Sequence, residues 1–359
     1  MASSPPAGRA RRAVKKIASP QAPPVTTPAV DPPVAALASQ EAALRKPVTQ
    51  IPVARFAQRQ AADRLRRVIA EVEQTLRSPD EEAVHQLRVS SRRLRAALDI
   101  FRPYFAPPER AQVKQEIRAL FAVAGEVRNR DIACGLLAQD APQTTAYLQQ
   151  ERLLWSMRLT EHLRQMVHQE FGTQWRTAIE TPRPEKKPKG RLPPGALLPE
   201  AAERWLPPLA RRFFKTGREA FATGDAEHLH EFRIAAKRFR YGLEFFAPLY
   251  GPRFLLCLRQ LKKLQDSLGR LNDLVTTRTL VPVPEITALL AARETLVRDA
   301  LTECWENEFR AGAVSGSWVQ YLRHYAGRTK AAQASRPPRK AIPAAPAGIP
   351  APAVAKRRA

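Results

Sequence analysis

AVHQLRVSSRRLRAALDIFRPYFAP at residues 83–107 and HLHEFRIAAKRFRYGLEFFAPLYGP at residues 228–252 are one element written twice. At an offset of 145 residues His85 pairs with His230, Arg88 with Arg233, Arg93 with Arg238 and Arg95 with Arg240. Leu98 and Leu243, Phe101 and Phe246, Pro103 and Pro248, and Pro107 and Pro252 keep the same register. Arg92 with Lys237 and Asp99 with Glu244 preserve charge. Wound on a helix at about 100° per residue, Leu87, Ser91, Leu94, Leu98 and Phe101 fall on one face, and His85, Arg88, Arg92 and Arg95 on the other. The second copy sets Phe232, Ala236, Phe239, Leu243 and Phe246 against His230, Arg233, Lys237 and Arg240. Cations stacked along one helix face repel one another. One carboxylate at the end of each stripe, Asp99 or Glu244, is too little to neutralise them. The stripes therefore predict an anion supplied from outside the chain. The alternative for any single Arg-rich helix is a solvated face. Two stripes in register, each opposite a clean apolar face, favour a ligand surface.

The rest of the chain reads as helical, with aliphatic residues spaced three and four apart and no strand alternation. Residues 1–50 and 327–359 are rich in Pro, Ala and basic residues and read as disordered tails. A Pro/Gly-rich linker at 181–199 divides the body, 51–326, into halves at 51–180 and 200–326, each with one copy of the repeat. In each half an amphipathic helix comes first and the basic helix second. Ser78, followed by Pro79 and Glu81, is read as the cap of the first basic helix, and Asp225 as the cap of the second. The third helices match at an offset of 144, Arg118 with Lys262 and Leu120 with Leu264, and are expected to end near Gly125 and Gly269. Long helices are expected at about 143–176 and 284–311, with a shorter one near Trp318. The expected fold is all-α: two pseudo-symmetric four-helix bundles related by an internal repeat and flanked by disordered tails.

The chain has 359 residues and a net charge of +25. The tails carry +5 and +8, which leaves +12 on residues 51–326, so the body is basic in its own right. Such charge points to polyanions: nucleic acid, polyphosphate or an anionic membrane surface. The three cysteines, Cys134, Cys257 and Cys304, are far apart, so neither a disulfide framework nor a zinc site is expected and a reducing cytoplasm fits. The N-terminal basic residues lead into a proline-rich run, so no secretory leader is expected. No stretch of about 18 apolar residues occurs, so no membrane span is expected.

The pattern H-x-x-R-V/I-x-x-R/K-R-x-R-x-x-L-x-x-F, followed by a helix ending in A/L-G-x-V/L, resembles the CHAD family, the conserved histidine α-helical domain. The resemblance spans both halves, about 51–326. It implies an all-α fold of two pseudo-symmetric four-helix bundles whose basic central surface binds inorganic polyphosphate. Carried over by position, the ligand-facing residues are His85, Arg88, Arg92, Arg93 and Arg95, then His230, Arg233, Lys237, Arg238 and Arg240, with Arg118 and Lys262 on the same surface. After the glycines the copies diverge, EVRNRDI in the first and RLNDL in the second, where the family favours an Arg-Asp or Asn-Asp step. The roles of Arg128 and Asp131 stay open on this reading. Some family members carry an N-terminal triphosphate-tunnel domain; residues 1–50 do not read as one, and a stand-alone version is expected.

No glycine-rich phosphate loop, HExxH or Gly-x-Ser-x-Gly occurs, and the cationic stripes of the basic helices offer one carboxylate each, too few to hold magnesium. A binding protein without catalytic residues, cofactor or metal is therefore expected. His85 and His230 read as phosphate hydrogen-bond donors, against the plainer reading of histidines near a helix start. The five tryptophans read as core. Tyr241 is the one aromatic beside the cations, where a single-strand binder interleaves many. The leading expectation is a cytoplasmic polyphosphate-binding protein at polyphosphate granules. The alternative is a nucleic-acid-binding protein using the basic helices and tails.

Overall fold

The computed structural model describes residues 48–181, 192–193, 195–310 and 312–324. The two tails, apart from residues 48–50, and most of the linker lie outside the described residues. The described chain forms ten α-helices and no strand. In the first half these are α1 (Val53–Arg77), α2 (Glu81–Ile100), α3 (Pro107–Leu137), α4 (Pro142–His168) and α5 (Phe171–Glu180). In the second half they are α6 (Leu198–Thr223), α7 (Ala226–Phe246), α8 (Pro252–Leu280), α9 (Pro284–Glu308) and α10 (Gly312–His324). Both basic helices, α2 and α7, pass into a 3-10 turn containing the repeated proline, Arg102–Tyr104 and Ala247–Leu249. Proline offers no backbone N–H to continue an α-helix. No helix among the described residues is long and apolar enough to cross a membrane.

Each half is built the same way. α1 packs on α2 and α5, α2 on α3, and α3 on α4; α6 packs on α7 and α10, α7 on α8, and α8 on α9. Across the boundary α1 meets α6, α2 meets α7 and α3 meets α8. The first three helices of each half thus touch their own counterparts, a pattern compatible with a twofold exchange of halves. The buried positions of α3 and α8 keep the offset of 144 along their length. Val113, Ile117, Leu120, Ala124, Val127, Arg130, Ala133 and Leu137 correspond to Cys257, Leu261, Leu264, Leu268, Leu271, Leu274, Thr277 and Val281, and all sixteen are buried.

The halves share one core. A continuous apolar cluster runs from Ile51 to Leu322, and a second joins Ala133, Leu137 and Leu148 to Leu274, Val281, Ile286 and Leu290. At the seam the fully buried Phe101 ring lies 5.7 Å from Phe56 of its own half, and 5.9 Å from Trp205, 5.1 Å from Phe245 and 6.0 Å from Phe246 of the other. Phe101 and Phe246 are equivalent positions of the repeat. The end of the expected linker also joins this core: Leu192 and Leu198 are buried, and Val53 N–H donates to the Ala196 carbonyl at 2.9 Å.

Three expectations are corrected. The α2 cap is Asp80, whose carboxylate accepts from Ala83 N–H at 2.8 Å, while Ser78 donates to Asp80 at 2.9 Å. Asp80 has extended backbone (φ −70°, ψ 174°), so helical turns begin only at Glu81. In α7 Asp225 is the cap as expected, accepting from His228 N–H at 2.8 Å. Gly125 and Gly269 do not end their helices but lie inside α3 and α8. The long helix expected at 143–176 is broken at Glu170, whose left-handed φ of 53° separates α4 from α5. The break gives the first half five helices, and the short helix expected near Trp318, α10, gives the second half five as well.

Candidate functional site

The apolar face of α2 is buried at Leu87, Ser91, Leu94 and Leu98, and that of α7 at Phe232, Ala236, Phe239 and Leu243. This burial fixes the rotation of both helices. Because α2 and α7 pack on each other, on α3 and on α8, their cationic stripes converge instead of facing open water. Arg88 and Arg92 from α2, Arg233 and Lys237 from α7, and Arg128 from α3 form one cluster of half-buried cations.

The electrostatics record the crowding. Burial, then the charges of Arg92, Arg128 and Arg233, lowers the Arg88 guanidinium to about 10. Burial, then Arg233 and Arg92, lowers the Lys237 ammonium to about 7, with Asp273 opposing the shift and Arg240 adding to it. Arg233 is lowered by burial and by Arg92. Asp273 of α8 is held near Arg233, Arg128 and Lys237, yet burial pushes its carboxyl above the usual range. The buried Nε atoms of Arg92 and Arg233 have no hydrogen-bond partner among the described residues. An unmet buried donor on a cation is costly unless an anion or water satisfies it.

Two of these side chains have built supports. Arg88 Nη1 donates to the Phe121 carbonyl at 3.2 Å, and its guanidinium lies over the Phe121 ring at 5.3 Å. A Cβ on Gly125 would come within 3.1 Å of the same Nη1, so the glycine leaves the notch that Arg88 fills. Arg128 is anchored by Glu81 at 2.7 Å, which ties α3 to the first turn of α2. Asp131 belongs elsewhere. It pairs with Arg152 of α4 at 2.7 Å, and Arg152 also donates to the Pro79 carbonyl at 3.0 Å. This pair fastens α4 to α3 and to the entry of α2.

The remaining sequence-predicted residues are placed around this centre. Arg93 acts on Arg64, a half-buried arginine of α1 that lies over the Phe245 ring at 4.3 Å, and so faces the seam between the halves. Arg240 pairs with Glu244 at 2.5 Å and lies over Tyr241 at 4.9 Å, at the edge of the cluster. Asp99 is occupied by Lys114 and, at 3.7 Å, by Arg110, both from α3, and not by the stripe above it. His85 and Arg95 are half-buried on α2; His230 and Arg238 are exposed on α7, as are Arg118 on α3 and Lys262 on α8. None of these six is among the charges that most affect Arg88 or Lys237.

Sequence reasoning missed Asp273 and left Arg128 open. The buried offset of 144 places Asp273 opposite Asn129, and Asn272 opposite Arg128. The same offset carried past the glycines would have paired them, because Val127 and Leu271 continue it.

A family model described as CHAD domain matches residues 59–282, which contain both copies of the repeat and all twelve sequence-predicted site residues. No curated protein matches the chain. Among solved structures, the CHAD domain from the plant Ricinus communis is similar with a TM-score of 0.54 and 22% identity, over 79% of this chain and 94% of that one. PptA from Streptomyces chartreusis is similar with a TM-score of 0.46 and 17% identity, over 71% of this chain and 100% of that one.

Proposed function

We propose that this chain, which belongs to the CHAD domain family, binds inorganic polyphosphate on the cluster formed by α2, α3 and α7 and performs no chemistry on it. One observation carries the reading. Four cations from equivalent positions of two helices, Arg88 and Arg92 with Arg233 and Lys237, are gathered at a repulsive, half-buried centre faced by the carboxylate of Asp273. A chain of phosphates supplies the missing charge and acceptors. Guanidinium groups meet phosphate oxygens with two parallel hydrogen bonds, and lysine adds a point charge. Two stripes running along one continuous ligand also gain avidity. The aromatic rings beside the cluster favour phosphate over bases. Phe121 lies under Arg88 and Tyr241 under Arg240, so guanidinium groups cover the faces on which bases would stack.

The deciding experiment titrates long-chain polyphosphate against single- and double-stranded DNA at physiological salt. Polyphosphate is expected to win, and its affinity to fall steeply as salt rises, because binding releases condensed counterions. Replacing Arg88, Arg92, Arg233 and Lys237 together by Ala is expected to weaken polyphosphate binding at least about tenfold, with each charge-assisted contact contributing about 1.5–3 kcal/mol before non-additivity and exposure are discounted. Wild-type affinity in that variant, or preference for DNA, overturns the reading. The same reading places the protein at polyphosphate granules. A fluorescent fusion of the full chain is expected to form foci there that disperse in cells unable to make polyphosphate; foci that track the nucleoid favour nucleic acid.

A further inference from the structure

Asp273 stands among the cations as a single acid on the inner face of α8. Charges from three other helices bear on it or feel it: Arg128 from α3, Arg233 and Lys237 from α7, and Arg88 from α2. Its own neighbour Asn272, whose amide donates to Thr276 Oγ1 at 3.4 Å, also favours the charged carboxylate. On its other side it lines a groove of about 360 Å³ with Ile132, Leu136, Leu274, Leu296 and Val297, which Arg270 and Arg293 also line; Arg293 is engaged with Asp140 at 2.8 Å. The carboxylate therefore has mainly aliphatic side chains with two further arginines on one side and the crowded cations of the cluster on the other. Its counterpart 144 residues earlier is the neutral Asn129. Glu81, the other acid near the cluster, is exposed and engaged with Arg128 at 2.7 Å.

We propose that Asp273 is the internal counter-ion of the cluster and limits its affinity: in the free protein it holds the electrostatic place that a bound phosphate takes, so the ligand binds against it. The ligand's identity in this inference rests on the polyphosphate reading, whereas the counter-ion role does not. Cations brought together without a counter-charge destabilise the fold, and a carboxylate among them offsets part of that cost. The same carboxylate then repels each incoming phosphate. Stability without ligand and affinity for ligand are opposed at this one residue. Burial already favours the protonated carboxyl, and phosphates placed beside it add to the same tendency, so proton uptake relieves part of the repulsion on binding.

The test uses the full chain with two near-isosteric changes, Asp273→Asn and Asn129→Asp. Thermal unfolding is followed without ligand at low and high sodium chloride, and affinity is measured with long-chain polyphosphate at pH 8. D273N is expected to unfold at lower temperature at low salt, with the gap narrowing at high salt as chloride screens the cations. It is also expected to bind polyphosphate at least about fivefold tighter, since one unit charge a few ångströms from the ligand is removed. N129D, which adds the acid on the other half, is expected to bind more weakly by a similar factor. D273N binding no tighter than wild type, or a stability loss that salt leaves unchanged, marks a packing role and overturns the proposal. If neither wild type nor variant binds polyphosphate while the salt-dependent stability difference persists, the counter-ion role stands and the polyphosphate reading falls.

Discussion

Lys237 shows how one side chain can weigh against the fold and still belong to the cation cluster. Its ammonium, ordinarily near 10.5, is lowered to about 7 by burial and by Arg233, Arg92 and Arg240, against the attraction of Asp273. Between these two values the unfolded chain holds a proton that the folded chain has released. Stability therefore rises with pH across that window and falls as pH drops toward 7; below 7 the folded protein carries the full cost of the charge. Replacing Lys237 by Met, which keeps the volume and removes the charge, is expected to raise the unfolding temperature most at pH 6 and least near pH 10. The same variant should bind polyphosphate more weakly at pH 6, where the wild-type ammonium is charged. Unfolding scans across that pH range check the first outcome, and a gain independent of pH would contradict it. The charge of Lys237 was legible in the repeat. Its lowered pKa was not, because it arises from side chains on other helices.

At the scale of elements, the basic helices were the most legible part of the chain. Their apolar faces, the proline stops and the Asp225 cap all follow from local rules of periodicity and backbone chemistry. The α2 cap was read at Ser78, two residues early, because Ser-Pro-x-Glu satisfies the same local pattern; Asp80, with a carboxylate already extended toward Ala83 N–H, takes the role instead. Replacing Asp80 by Ala is expected to lower stability by about 1 kcal/mol, the usual cost of losing a side-chain cap, and Ser78→Ala by less. Hydrogen bonding from Ala83 N–H and Ser78 lowers the Asp80 carboxyl. The cap's contribution is therefore present above the ordinary carboxylate range and is lost as pH falls through the lowered value. Denaturant titrations of the two variants at pH 7 check the ranking, and equal losses would point to Ser78 as an equal partner. The glycines misled for a physical reason. Glycine near the end of an apolar run usually marks a helix terminus, but Gly125 serves as a notch for Arg88, a need created by a different helix.

At the scale of the whole molecule, the halves are joined through their core. Phe101 touches aromatic rings of both halves, and the apolar cluster passes without a break from α1 to α10. Phe101→Ala is expected to cost about 3–5 kcal/mol, the range for emptying a buried aromatic site, and to lower one shared unfolding transition. Calorimetry that resolved two transitions, with only one shifted, would show halves that unfold separately. A joined core also positions the cation cluster, because α2 and α7 can share one cluster only while the seam between them is closed.

The sequence by itself determined the helical class, the internal repeat, the apolar and cationic faces of α2 and α7, and the cations that those two helices carry. All of these depend on spacing within one element, where a fixed rotation per residue makes the pattern readable. Tertiary structure alone decided which cations meet. It brought Arg88, Arg92, Arg128, Arg233 and Lys237 together, turned Arg93 toward Arg64, and left Arg118, Lys262, His230 and Arg238 exposed. It also brought Asp273 to the cluster from α8, 144 residues beyond its neutral counterpart. Such convergence depends on how helices distant in sequence pack, and the closure of a shared core, which no single helix encodes, sets that packing.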